Sequence, residues 1–193
     1  MKKIVLATKN ELGIYMNPVR QELLHILNIS KTTMTPKMLA DRLHISASGV
    51  QHHINKLLSL GLVELDHTEV INGITAKFYK ASLVTVQIGL QYEDELASQR
   101  QVLAQESIAR IYDRFRSRME GMRKRIGATD AASAAQWGDV LTGVMHLGKE
   151  ESSELMKIIN DYIEKHSAPD TDKTAWEYAL VLYNTGDWNE RDE

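Results

Sequence analysis

Apolar residues recur with the spacing of an α-helix in three segments near the start of the chain. The first segment follows Asn17-Pro18, where the Asn side chain can cap a helix and proline fits the first helical position. Its inward face is predicted to contain Val19, Leu23, Leu24 and Leu27. Thr35-Pro36 repeats the start signal, and the helix behind it should be short, because the sequence HIS interrupts it after about two turns.

The third amphipathic segment is SASGVQHHINKLLSLG, residues 46–61. Ser46 or Ser48 is predicted to cap its start, and Gly61 to end it, since glycine accepts the left-handed conformation found after a helix C-terminus. The apolar side of this helix carries Val50, Ile54, Leu57 and Leu58. The polar side carries Ser48, Gln51, His52, Asn55 and Lys56. We therefore expect the helix to pack by one face and to display the other.

Alternating apolar and polar residues follow in LVELDHTEVINGITAKFYKA, residues 62–81. Asn72-Gly73 lies at the centre of this stretch, and this dipeptide favours the type I′ turn of a two-stranded hairpin. Helix, short helix, helix and hairpin thus follow one another without a linker. This order is typical of a winged helix-turn-helix domain, in which the hairpin is the wing.

A long amphipathic helix is predicted from Glu93 to Ile126, because no proline or glycine occurs before Gly121 and apolar positions recur at alternating steps of four and three. Its apolar stripe is predicted to contain Ala97, Gln101, Ala104, Ile108, Ile111, Phe115, Met119, Met122 and Ile126. Seven basic residues between Arg110 and Arg125 form either a solvated face or a set of phosphate contacts. The stripe makes this helix a candidate for dimerisation.

Residues 138–185 are predicted to form a strand–helix–strand unit, with a helix over residues 149–167 between the two strands. Two strands alone leave open edges, which a second subunit can cover. Five large side chains are candidates either for a core or for a pocket that binds an apolar effector: Trp137, Met145, Trp176, Tyr178 and Tyr183.

These elements predict an α+β fold that is mainly α. We expect a winged helix-turn-helix domain at residues 1–92, a long linking and dimerisation helix at 93–126, and a small acidic module for assembly or signal reception at 127–193.

The charge distribution divides the chain at the same place. Residues 1–126 hold 18 Lys and Arg against 12 Asp and Glu, a net charge of +6, whereas residues 127–193 hold 5 against 14, a net charge of −9. A basic half favours an anionic partner, although a solvated surface explains it equally well.

With no cysteine, no signal-peptide core and no apolar run of membrane-spanning length, we expect a cytoplasmic protein without a membrane partner.

Catalytic and metal-binding patterns are weak in this sequence. His52 and His53 are neighbours on a helix, so their side chains diverge by about 100° and cannot converge on one ion. No phosphate-binding glycine loop or serine elbow occurs, and Glu150 and Glu151 fit the first turn of a helix better than an acid–base pair. We predict no cofactor, no metal site, no catalytic residue and no enzymatic activity.

Three stretches resemble the DNA-binding domain of ArsR-type winged-helix bacterial transcription regulators: NPVRQELLHIL, LADRLHISASGVQHHINKLLSLGLVE and KFYKAS. The resemblance covers residues 14–82 and includes Asn17-Pro18-x-Arg20, the recognition-helix pattern from Ile45 to Leu57, and Gly61-Leu62-Val63 before the wing. It implies a homodimer, commonly a repressor released by a signal, with two recognition helices in successive major grooves. The cysteine and histidine ligands of the family's metal sensors are missing, so the resemblance does not extend to metal or arsenic sensing.

The sequence therefore predicts a regulator that binds double-stranded DNA, and an unidentified small-molecule effector is a second candidate partner. Its DNA contacts are predicted at Ser46, Ser48, Gln51, His52, Asn55, Lys56, Asn72 and Lys77. The amides of Gln51 and Asn55 suit adenine in the major groove, while His52 suits a phosphate or a base. Two other hypotheses stay open at this point: a winged-helix module that binds proteins rather than DNA, and an enzyme housed in residues 127–193.

Overall fold

The computed structural model describes residues 2–126 and 137–186. Its elements are β1 (Lys2–Val5), α1 (Lys9–Tyr15), α2 (Pro18–Ile29), α3 (Pro36–Leu43), α4 (Ala47–Ser59), β2 (Val63–Ile71), β3 (Ile74–Ala81), β4 (Val84–Gln87), α5 (Ala97–Ile126) and α6 (Lys149–His166). The described residues belong to two compact units, one containing residues 2–105 and 140–175, and the other containing residues 106–126, 137–139 and 176–186. No helix in the described part of the chain is long and apolar enough to cross a membrane.

Side-chain caps start the three helices α2, α3 and α4 where the sequence predicts. The Asn17 side chain accepts a hydrogen bond from the Arg20 backbone N–H at 3.1 Å, and Thr35 accepts one from Met38 at 3.2 Å. Ser46, not Ser48, caps α4 by accepting from the Gly49 N–H at 3.1 Å. Each cap satisfies a donor that has no partner inside its helix.

A single apolar core joins these three helices to the hairpin. Its fully buried members on the helices include Leu23, Leu39, Val50, Ile54 and Leu57. Burying each such side chain stabilises the fold by about 1.5–3 kcal/mol. Because Val50, Ile54 and Leu57 all lie on one side of α4, the core fixes which side of that helix faces outward.

The link between α3 and α4 is a tight turn at His44. This residue is the C-cap of α3 and adopts a left-handed conformation with φ of 55°. The Ile45 N–H then bonds the carbonyl of Ala40 at 3.2 Å, which closes the end of α3 and redirects the chain into α4.

The predicted hairpin is confirmed as β2 and β3, which pair antiparallel around Asn72-Gly73. Asn72 has φ of 51° and Gly73 has φ of 78°, as a type I′ turn requires. Tyr79 of β3 also exchanges two backbone hydrogen bonds with Met34, both of 2.9 Å, which form an isolated β-bridge beside the hairpin. The helices and this wing form a winged helix-turn-helix, and the mainly-α α+β fold is confirmed.

Three elements near the wing were not predicted from the sequence. Strand β1 pairs in parallel with β4, with Lys2 opposite Val84. Helix α1 lies between β1 and α2, and Glu11 completes a capping box with Thr8 at its start. A second small core forms around the fully buried Leu6, Leu12 and Leu103.

The long helix α5 begins at Ala97 rather than at Glu93. Asp94 ends the preceding loop, where its carboxylate accepts from the Leu96 N–H at 2.8 Å and from Arg100 at 2.6 and 3.0 Å. The Arg100 side chain is only 2% exposed, so this ion pair anchors the first turn of α5. The Asp94 carboxylate and carbonyl thus accept from the Leu96 and Ala97 N–H groups and form a turn just before the helix.

The predicted strands at the two ends of the C-terminal module are wrong. Helix α6 is confirmed, but residues 139–147 and 174–185 form no strand. A suitable residue pattern alone does not make a strand, because the backbone also needs a hydrogen-bonded neighbouring strand. Within the described residues, no strand pairs with either segment. The five large side chains considered for a core or pocket are exposed: Trp137, Met145, Trp176, Tyr178 and Tyr183.

Candidate nucleic-acid interface

The outward face of α4 presents most of the residues predicted to touch DNA. Ser46, Ser48, His52, Asn55 and Lys56 are exposed. Gln51 is half-buried, because it lies closer to the wing. The predicted contacts on α4 therefore share one surface, and no segment within the described residues covers it.

Two amide side chains on this face are joined to each other and to the wing. Gln51 Nε2 donates to Asn55 Oδ1 at 2.9 Å, one helical turn later. The same nitrogen donates to the hydroxyl of Tyr79 on β3 at 3.4 Å. Tyr79 is 3% exposed and belongs to the main core, so the amide pair is attached to a fixed point.

The amino end of α4 combines a helix N-terminus with two hydroxyl groups. The oxygens of Ser46 and Ser48 lie 3.2 Å apart, and Ser46 also caps the helix. Unpaired backbone N–H groups and the helix dipole make such an end suitable for a phosphate group.

Lys56, near the other end of α4, lies beside an open cleft. The cleft has a volume of about 530 Å³ and is lined by Lys9, Arg20 and Lys56, among others. The Arg20 side chain bonds the carbonyl of Gly13 at 2.9 Å and that of Ile14, so it holds α1 against α2. Lys9 and Lys56 supply the exposed positive charge. Sequence reasoning missed Lys9, because α1 was not recognised as an element next to α4.

The two lysines of the wing, Lys77 and Lys80, differ in their surroundings. Lys80 bonds Glu64 at 3.3 Å and Asp66 at 2.8 Å, and these carboxylates raise the pKa of the Lys80 ammonium while the pKa of Asp66 is lowered. Lys77 is exposed nearer the turn, as is Asn72. Lys77 is therefore better placed than Lys80 to meet a phosphate.

The two faces of the wing also differ. Lys77 pairs with Thr68, whereas Glu69 pairs with Ala76 at the next position of the ladder. Successive side chains on a strand point to opposite faces, so Lys77 and Glu69 lie on opposite sides of the hairpin. A phosphate backbone is attracted to the first side and repelled by the second.

His53 is a core-edge residue rather than a surface contact. It is half-buried, and its Nδ1 finds no hydrogen-bond partner within the described part of the chain. Burial lowers the pKa of His53, and the charges of Arg20 and His52 lower it further. Its ring and that of His52 are 5.7 Å apart and inclined at 71°. Residues 2–126 and 137–186 contain no group of three potential ligands that could hold a metal ion.

Comparison with known proteins supports the helix-turn-helix assignment. A family model described as a helix-turn-helix domain matches residues 15–66, which include α2, α3, α4 and the start of β2. No curated protein sequence matches the chain. A solved structure of the heme sensor protein PefR from Streptococcus agalactiae in complex with heme is 14% identical over 84% of both chains, but its TM-score of 0.31 is too low to support any conclusion here.

Residues 15–66 are thus a helix-turn-helix domain, and β2 and β3 complete it as a winged helix. A domain of this kind with an uncovered polar helix face indicates a DNA-binding transcription regulator.

The lowered pKa of His53 predicts that stability depends on pH. In the unfolded chain His53 takes up a proton near its ordinary pKa of about 6.5, whereas the folded chain resists protonation. Folding stability is therefore lost as the pH falls below that value, and His53→Gln should reduce the loss. Chemical denaturation of both proteins between pH 8 and pH 5 measures this effect. The exposed neighbour gives the matched control, His52→Gln, and equal pH profiles for wild type and His53→Gln would contradict the prediction.

Proposed function

We propose that this protein is a sequence-specific, ArsR-like transcription regulator that binds double-stranded DNA as a homodimer and acts as a repressor. Helix α4 enters the major groove and the wing touches the flanking backbone. The observation that carries this proposal is the outward face of α4, which is polar, uncovered and fixed in direction by three fully buried side chains on its other side.

The residues on this surface divide into two groups by their chemistry. Gln51 and Asn55 face the groove as base readers, because amides offer both donors and acceptors to base edges. His52 lies beside them and contacts either a base or a phosphate. The remaining contacts hold the phosphate backbone: Ser46, Ser48, Lys56, Asn72 and Lys77.

Residues 1–92 are then the DNA-binding domain, and residues 93–126 the helix that joins two subunits. Support for dimerisation comes from exposed apolar side chains on one side of α5, among them Ile108 (44%) and Tyr112 (53%). A helix that exposes such residues in one chain gains stability when a second chain covers them. No small-molecule effector is assigned.

Residues 127–193 form the assembly or signal-reception module in this proposal. Helix α6 has an apolar stripe but buries none of its residues. The segments before and after α6 expose Leu141, Val144, Val181 and Tyr183. Such surfaces are typical of regions that are covered in an assembly.

A protein-binding module is the second candidate, and the tip of the wing favours it. Val70, Ile71 and Ile74 are exposed by 68%, 44% and 72% around the turn. An apolar tip suits a protein surface as well as a DNA groove. DNA binding without any preference between duplexes of different sequence would support this candidate over the regulator.

Removing either amide should weaken base preference at the positions that it reads. Duplexes are first selected from a random pool with the full chain, and binding is then compared between the selected duplex and single base-pair variants of it. Gln51→Ala or Asn55→Ala should reduce discrimination at one or two positions by about 5- to 150-fold, which corresponds to about 1–3 kcal/mol. Asn28→Ala, which removes an exposed amide from α2, is the control. Unchanged preference in both variants would refute their assignment as base readers.

Lys77→Ala should weaken binding to every duplex and should lower the slope of log K against log salt by about one per subunit, since one phosphate contact is lost. The measurement is a salt titration of binding to the selected duplex and to a scrambled one. Lys80→Ala is the matched control, because Glu64 and Asp66 already hold that lysine. An equal change of slope for both lysines would contradict the placement of Lys77.

Disrupting the α5 stripe should separate the subunits. Ile108→Glu should convert a dimer to a monomer in sedimentation velocity and should weaken binding to a duplex with two half-sites by at least about tenfold. Ser117→Glu adds the same charge nine residues later, about 180° around the helix, and should leave the dimer intact. A monomeric wild-type protein, or a dimer that survives Ile108→Glu, would remove α5 from the interface.

A further inference from the structure

We propose that Tyr79 is a positioning residue for base recognition: its hydroxyl fixes Gln51 so that Gln51 and Asn55 act as one reader with a set arrangement of acceptor and donors. This inference rests on the proposed function, because it concerns how the outward face of α4 selects DNA. It assigns to the wing strand β3 a role in reading bases, beyond contact with the backbone.

The hydrogen bonds of Gln51 determine which of its atoms remain for DNA. Its side-chain nitrogen has two N–H donors, of which Asn55 Oδ1 takes one at 2.9 Å and the Tyr79 hydroxyl takes the other at 3.4 Å. Gln51 then presents only its Oε1 acceptor to the groove. Asn55 uses one lone pair of its Oδ1 in this bond and presents its Nδ2 donors.

Tyr79 can fix this arrangement because its own position is determined by the fold. It is 3% exposed, and its backbone N–H and carbonyl bond Met34 at 2.9 Å each. It packs in the same core as Val50 and Ile54 of α4. The hydroxyl is therefore held at a constant distance from the helix, and Gln51 loses less rotamer freedom on binding DNA than an unrestrained glutamine would.

The arrangement has a definite chemical preference. A lone Gln51 side chain can turn either its oxygen or its nitrogen towards a base, and so accepts partners of both kinds. With its nitrogen engaged, Gln51 selects an exocyclic amino group, which adenine and cytosine present in the major groove. Guanine and thymine present oxygen acceptors at the corresponding place and are rejected. Asn55 donates to an acceptor on a neighbouring base, such as a purine N7.

Tyr79→Phe tests the proposal, because it keeps the ring in the core and removes only the hydroxyl. A duplex is selected from a random pool with the full wild-type chain, and Gln51→Ala identifies the position that Gln51 reads. Binding is then measured for all four base pairs at that position. Wild type should prefer adenine or cytosine on the contacted strand. In Tyr79→Phe the relative affinity for guanine and thymine should rise, so that discrimination falls by about three- to tenfold.

A double-mutant cycle separates positioning from a purely structural role. If Tyr79 acts through Gln51, Tyr79→Phe should cause no further loss of discrimination in the Gln51→Ala background. Tyr92→Phe removes the hydroxyl of an exposed side chain outside this surface and serves as the control. Thermal unfolding of each variant checks that the fold is kept.

Three results would overturn the inference. These are unchanged base preference in Tyr79→Phe, an equal loss of affinity for every duplex, and a preference of the wild type for guanine or thymine at the Gln51 position. A different result addresses the proposed function itself. If the pool yields no preferred duplex, sequence-specific recognition fails, and the role of Tyr79 fails with it.

Discussion

The burial of one side of α4 is the constraint on which the rest of this domain depends. Val50, Ile54 and Leu57 are each fully enclosed, so the helix can neither rotate nor tilt without opening the core. Its polar residues consequently have a fixed direction. The hairpin is tied to the same core through Tyr79, and recognition helix and wing therefore keep a constant geometry. The packing of the core therefore matters for DNA recognition as much as the polar side chains do.

Much of the winged helix could be predicted from the sequence because its signals are local. Asn17-Pro18 and Thr35-Pro36 start helices through contacts with the next turn, and Asn72-Gly73 forms its turn with its own backbone. Pairing between distant residues has no such signal. The parallel pairing of β1 with β4 was missed for that reason, and the strands expected around α6 were wrong because no partner strand is supplied within the described residues.

The candidate site, like the fold, could be predicted only in part. The types of residue on the outward face of α4 follow from helical periodicity, and their exposure agrees with that expectation. Their partners do not follow from periodicity. Only the folded structure brings Gln51 to Tyr79, 28 positions later, and only the register of the hairpin engages Lys80 with two carboxylates while Lys77 stays exposed. Strand pairing thus decides which lysine stays available for a negatively charged partner.

The opposite placement of Lys77 and Glu69 has a consequence for how a duplex and this protein meet. Close to the hairpin, a polyanion is attracted to the lysine side and repelled by the glutamate side, so one orientation of approach has the lower energy. Encounters in the wrong orientation are repelled early. This preference acts only over short distances, because at physiological ionic strength salt screens exposed charges beyond about 8 Å, and it weakens further as the salt concentration rises.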